Sequence, residues 1–336
     1  MKKTFAVLFI VALVYTSWRL VSVPRVPVPP PAPGDTIPVS VGRFTAITPT
    51  SEGLWLGDQF GQIAHVREHR EPVSWVAHGG PIRRLLDTPA GLVSIGGGSV
   101  AHWGPDRDLR QRVRARSYRL NDGLMTANDA ILVATERGMV ARLDAADPWR
   151  MAGYHSRAAF SLALSPTQTE VVSGGADGRI AVWSVAKSAD NPVSSWRSGG
   201  RWVTGLAWIE GSMVGLPAGV TGLISATDGG QITLWRWPDP VVVKRVDCGI
   251  EEVIELAVLG SRFVVGGEDG RACLGDFARD APLVRVWTVS PEPVIGLALT
   301  PTQIFTSGPA GIVYVWDVTR GDLIATLEPD LSRSLP

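Results

Sequence analysis

Val172-Ser-Gly-Gly-Ala-Asp-Gly-Arg-Ile-Ala-Val-Trp183 is the stretch on which the reading of the fold turns. It describes two short strands joined by a tight turn. The Asp-Gly step supplies the positive-φ backbone that a hairpin needs, and the flanking residues are β-formers. The pattern recurs as Ser225-Ala-Thr-Asp-Gly-Gly-Gln-Ile-Thr-Leu-Trp235, as Val265-Gly-Gly-Glu-Asp-Gly-Arg-Ala-Cys-Leu-Gly275 and as Thr306-Ser-Gly-Pro-Ala-Gly-Ile-Val-Tyr-Val-Trp316. Weaker copies begin at Leu56, Ser94 and Ala134. The turn glycines are Gly61, Gly98, Gly138, Gly178, Gly230, Gly270 and Gly311, spaced 37, 40, 40, 52, 40 and 41 residues apart.

An apolar strand precedes each hairpin. Ile82-Arg-Arg-Leu-Leu-Asp-Thr-Pro89, Ala159-Phe-Ser-Leu-Ala-Leu-Ser-Pro166 and Val294-Ile-Gly-Leu-Ala-Leu-Thr-Pro301 share one pattern. Val203-Thr-Gly-Leu-Ala-Trp208 and Val253-Ile-Glu-Leu-Ala-Val258 share its core. A more polar strand follows each hairpin, as in Val241-Val-Val-Lys-Arg245. Four strands every ~40 residues make a propeller blade. The expected fold is therefore all-β: a seven-bladed β-propeller of four-stranded antiparallel blades over residues 36–330, with a short tail at 331–336. Two segments compete to close the ring: Asp322–Leu327, and the N-terminal Thr36–Val41, whose Pro38 suits an edge strand.

These residues resemble the WD40 repeat family, over roughly Phe44 to Leu327. Blade four matches best. Its Ser173, Asp177 and Trp183 stand at the family's strand-turn-strand positions, and His155 lies four residues before Ala159, where the family has its His. The resemblance implies that these four side chains form a hydrogen-bonded network that locks the blade. Blade two keeps His78, Ser94 and Trp103 but lacks the Asp. Blade five keeps Trp235, and blade seven ends in Trp316-Asp317. Blade six keeps Asp269 but has Gly275 where the Trp belongs. Val66 and Leu143 replace it in blades one and three.

The chain begins differently. Lys2 and Lys3 precede a long apolar run from Thr4 to Val23 that only Arg19 interrupts. A bilayer span needs about 20 such residues, so residues 1–23 are expected to form a transmembrane signal-anchor helix. Alternatives are a cleaved signal peptide, with secretion, and an apolar strand. Residues 24–35 are dense in proline and form a stiff spacer. The expected topology places the propeller outside the cytoplasm, on the periplasmic or extracellular side.

Composition narrows the function. The 32 basic and 32 acidic residues cancel, so no bulk field attracts nucleic acid. No nucleophile–base–orienter set stands out. Of the five histidines, His78 and His155 fit blade locks and His102 lies on a hairpin strand; His65 and His69, four apart, straddle a strand and a turn. Gly96-Gly-Gly98 lacks the Lys-Ser/Thr of a phosphate loop. No metal or cofactor is called for. Cys248 and Cys273 are either two small buried residues or, outside the cytoplasm, a disulfide. The expected function is non-catalytic: a membrane-tethered scaffold for protein partners, as an assembly or accessory subunit of an envelope complex. The alternative is a hydrolase or redox propeller with its site at the channel mouth. The loops entering the inner strands place Arg83, Arg157, Arg201, Trp202 and Glu252 near one face. Trp and Arg are common interface anchors. The insertion Ile209–Gly222, which causes the 52-residue gap, is either a contact element or tolerated slack.

Overall fold

Each repeat folds as its hairpin dictates. The computed structural model describes residues 18–20, 43–67, 73–115, 118–143, 150–185 and 192–329. They form seven antiparallel sheets, each built on four consecutive strands in chain order. Blade four runs Ala159–Leu164, Glu170–Gly175, Arg179–Ser184 and Ser194–Arg197 from the channel outward. The other inner strands are Phe44–Pro49, Ile82–Thr88, Leu120–Met125, Val203–Glu210, Val253–Leu259 and Gly296–Leu299. All seven repeat glycines take positive φ, between +71° and +88°. At Gly178 the need is also steric, because a Cβ there would stand 2.6 Å from the Gly200 carbonyl oxygen.

The core is divided among the blade interfaces. Seven apolar clusters are found among the described residues, one between each pair of neighbouring blades. Three interfaces carry a tryptophan pair. Trp75, Trp196 and Trp287, on fourth strands, meet Trp103, Trp235 and Trp316 of the following blade edge-on, with ring centroids 5.5, 5.9 and 5.7 Å apart. Edge-to-face contact complements the ring quadrupoles and adds to the buried area.

Closure uses the C-terminal candidate. Leu323–Pro329 is the outer strand of blade seven, pairing with Val313–Asp317. The competing Thr36–Val41 segment lies outside the described residues. Blade seven then packs on blade one through Phe305, Val313 and Val315 against Leu54, Leu56 and Val66. The Ser307 hydroxyl donates to the Phe44 carbonyl at 2.6 Å, joining the two ends of the ring.

Within the expected 1–23 helix, the described residues differ from expectation. Trp18–Leu20 is a strand, paired antiparallel with Leu327–Pro329 on the outer edge of blade seven. An open edge strand offers unpaired backbone groups that such a segment satisfies. The rest of 1–23 and the 24–35 spacer lie outside the described residues. No helix among the described residues is long and apolar enough to cross a membrane.

The insertion in blade five is packed. Its 3-10 turn, Gly211–Val214, buries Val214 with Ile209 against Phe263 and Phe277 of blade six. It lies at the end of the propeller opposite the loops that enter the inner strands.

Candidate functional site

Position within the blade decides what each singled-out residue does. In blade four, His155 Nε2 lies 2.7 Å from Ser173 Oγ and its Nδ1 lies 3.1 Å from Asp177 Oδ1. Trp183 Nε1 donates to the same Ser173 oxygen at 2.7 Å. The second and third strands and the entering loop are thus joined through one buried hydroxyl. Burial pushes the Asp177 carboxyl up. His155 and the backbone N–H groups of Arg179 and Ser156 outweigh it, and the net shift is downward.

Blade two builds the same lock with a substitution the sequence hid. His78 Nε2 meets Ser94 Oγ at 2.8 Å, and Trp103 donates to that oxygen at 2.8 Å. Where blade four has Asp177, His78 Nδ1 meets Ser99 Oγ at 2.8 Å. Burial, and then the charge of Arg112, lowers the His78 pKa to about 4. In blades five and seven the tryptophan still reaches a hydroxyl: Trp235 to Ser225 and Trp316 to Thr306, at 2.8 and 2.9 Å. Asp269 of blade six instead takes the Arg271 guanidinium at 2.7 Å.

Blade six replaces the lock covalently. His155 enters its blade with its N–H on Gly138 O, the turn glycine of blade three; Cys248 has its N–H on Gly230 O, the turn glycine of blade five. Cys248 thus occupies the His position of blade six. It forms a disulfide with Cys273 on the third strand. The missing Trp at Gly275 is filled by Phe263, whose ring covers the glycine and packs on Phe277. Of the two readings open for the cysteines, the disulfide is the one found: both residues are buried, and they are bonded.

The inner strands meet around a central cavity of about 680 Å³. In blades one to six each inner strand has a register shift just after its first residue. Such bulges re-aim side chains. The residues following the shift form one row: Ala46, Arg84, Asp122, Ser161, Gly205 and Glu255. Its polar members hold the ring together. Asp122 Oδ2 accepts from Leu162 N of blade four at 2.9 Å, and Ser161 Oγ accepts from Leu206 N of blade five at 3.0 Å. Asp122 Oδ1 accepts from Arg84 Nε of blade two at 2.8 Å. Asp122 is only 3% exposed. Glu255, in the same row, is pushed up to about 7, chiefly by burial; Arg84 and Arg83 pull it down and Asp122 pushes it up.

At the mouth, Trp202 and Arg201 form one unit. The Arg201 guanidinium carbon lies 4.8 Å from the Trp202 ring centroid, and its Nε donates to Asp228 at 3.0 Å. The Trp202 N–H also reaches Asp228, at 3.0 Å, and Phe160 of blade four stands edge-on to Trp202. Glu252, held at φ +50°, shares a hydrogen bond with Glu268 that raises the Glu268 pKa. Trp202, Glu252 and Arg83 all line the cavity; Arg157 is exposed and stands apart from its lining. Sequence reasoning missed Asp122, Asp228, Glu255 and Glu268. The motif Val253-Ile-Glu-Leu-Ala-Val258 did contain one signal, a glutamate inside an otherwise apolar inner strand. His65 stacks on Trp55 at 3.5 Å, and His69 lies outside the described residues. No group of three or more His, Cys, Asp or Glu that could hold a metal ion is found among the described residues.

No protein-family model matches the chain. THO complex subunit 6 of Homo sapiens is 25% identical over 197 residues, covering 48% of this chain and 58% of that protein. The THO complex subunit 6 homolog of Rattus norvegicus is 26% identical over the same length and coverage. The match thus spans less than two thirds of either relative. Seven four-stranded blades, the His-Ser-Asp-Trp network of blade four and this partial similarity fit a WD40-type propeller.

Proposed function

We propose that the chain is a non-catalytic scaffold that binds a protein partner at the channel mouth, as an assembly or accessory subunit of an envelope complex. The observation that carries this reading is the grouping of Trp202, Arg201, Arg83 and Glu252 around one end of the cavity. Aromatic and arginine side chains at the rim of a concavity are the common anchors of protein interfaces. The name of the partial relative, a subunit of a complex, points the same way. The apolar run from Thr4 to Ser17, ahead of the Trp18–Leu20 strand, tethers the protein to a membrane with the propeller outside the cytoplasm. The Lys2-Lys3 start and the apolar run support this placement, as does the Cys248–Cys273 disulfide, a bond at home in an oxidising compartment.

Gentle detergent extraction followed by affinity purification should recover a stoichiometric partner; a clean monomer contradicts the scaffold reading. Carbonate-washed membranes should retain the protein; its release into the supernatant contradicts the tether.

One observation favours the enzyme alternative. Glu255, near 7, faces a cavity that also holds the Asp122 carboxylate, and a carboxyl raised to near neutrality beside a second carboxylate can serve as a general acid or base. Asp122, however, is committed to Arg84, Leu162 N and Gly123 N. Turnover of chromogenic esters or glycosides, lost in Glu255→Gln, would establish that reading.

A further inference from the structure

The cavity is sided. Blade two contributes Arg83 and Arg84 to one wall, and Arg84 is already paired with Asp122 at 2.7 Å. Blade six contributes Glu252 at the rim, Glu268 beside it and Glu255 deeper in. Asp228 is occupied by Arg201. The remaining inner-strand residues at this level, Phe160, Ser161, Thr204, Gly205 and Leu297, do not titrate. Three carboxyl groups on the blade-six wall therefore face the cavity with no cation of their own wall beside them. The Thr204 hydroxyl, on the neighbouring strand of blade five, is buried without a hydrogen-bond partner. Further in, Leu164, Trp208, Val258 and Leu299 make the lining apolar. An anionic guest would meet an acidic wall that only Arg83 and Arg84, across the cavity, offset. A cation on an aliphatic stem would find carboxylates for its head and apolar surface for its stem.

We propose that the channel mouth captures a cationic side chain, Lys or Arg, of the partner protein, held by Glu252 and Glu268 at the rim and by Glu255 within. This rests on the scaffold reading above and names the chemistry of the partner. The cavity volume lies within the range of sites that enclose a drug-sized group, which accommodates one long side chain and its backbone. Capture is coupled to a proton. Free Glu255 is largely protonated below about pH 7 and ionised above it. A bound cation stabilises the ionised form, so binding near neutral pH releases a proton to solvent. Affinity therefore rises with pH through this range. Arg83 and Arg84 oppose the guest's charge from across the cavity, while Asp122 offsets Arg84.

The test is isothermal titration of the detergent-solubilised full chain with capped pentapeptides carrying a central Lys, Arg, norleucine or Glu. The Lys or Arg peptide should bind about tenfold more tightly than norleucine, and about tenfold more tightly at about pH 8 than at about pH 6. Glu255→Gln should flatten that pH dependence. The exposed rim variant Glu252→Gln, which leaves the buried row untouched, should weaken the cationic peptides at both pH values. Equal binding of norleucine or Glu peptide, undiminished pH dependence in Glu255→Gln, or binding of no peptide overturns the inference. A partner that copurifies equally with wild type and Glu255→Gln overturns it too, yet leaves the scaffold standing. Failure to recover any partner with wild type removes the scaffold itself.

Discussion

At the residue scale, the molecule repeats one idea with different atoms: a buried group at the blade entrance fastened to the strands behind it. Blade four uses His155, Ser173, Asp177 and Trp183, and these were legible because each stands at its expected spacing. Blade two was only half legible. Its turn is one residue short, which brings Ser99 to the place where an aspartate was sought. The consequence is testable through pH. His78 is 2% exposed and has a folded pKa of about 4, below the ~6.5 of an unfolded histidine. Below about pH 6.5 the unfolded chain binds a proton that the folded chain refuses. Its stabilising contribution is thus complete above about 6.5 and is lost as pH falls towards about 4, by ~3 kcal/mol in all. Urea unfolding at about pH 7.5 and about pH 4.5 should show a smaller stability loss for His78→Gln than for wild type; equal losses contradict the assignment.

At the element scale, strand pattern and turn glycines gave every blade, while pairings between blades escaped. Nothing in a single repeat says that Trp287 will meet Trp316, since the contact joins one blade's fourth strand to the next blade's third. The bulge after the first inner-strand residue was hidden for a similar reason: it appears only as a register shift against the second strand. Trp287→Ala should cost about 3–4 kcal/mol in urea unfolding, a cavity penalty at the blade six–seven interface. A cost below about 1 kcal/mol would show that the tryptophan pair adds little. The cysteines were legible as a candidate pair, but their equivalence to the His position was not. The bond closes a span of 25 residues. By loop-closure entropy its reduction should lower stability by about 3 kcal/mol. Denatured, unreduced protein should show no free thiol, and dithiothreitol should lower the melting temperature. Two free thiols before reduction contradict the disulfide.

At the scale of the whole molecule, seven similar blades produce a ring whose two ends differ. The end with the blade five insertion presents Met213, 46% exposed, above a packed apolar turn. The other end gathers Trp202, Arg201, Glu252 and Glu268 at the rim of the cavity, with Glu255 below them. Sequence spacing located that rim approximately, through the residues that precede inner strands. It could not show that the cavity has an acidic wall, because that wall is assembled from an inner strand, an entering loop and a hairpin turn. The most direct test of the scaffold account is quantitative copurification of partner with wild type, with Trp202→Ala at the mouth and with Met213→Ala at the opposite end. The account predicts that Trp202→Ala reduces partner recovery at least about fivefold, an interface loss of about 1 kcal/mol or more, while Met213→Ala leaves it unchanged. Full recovery with Trp202→Ala, or loss with Met213→Ala alone, would contradict it.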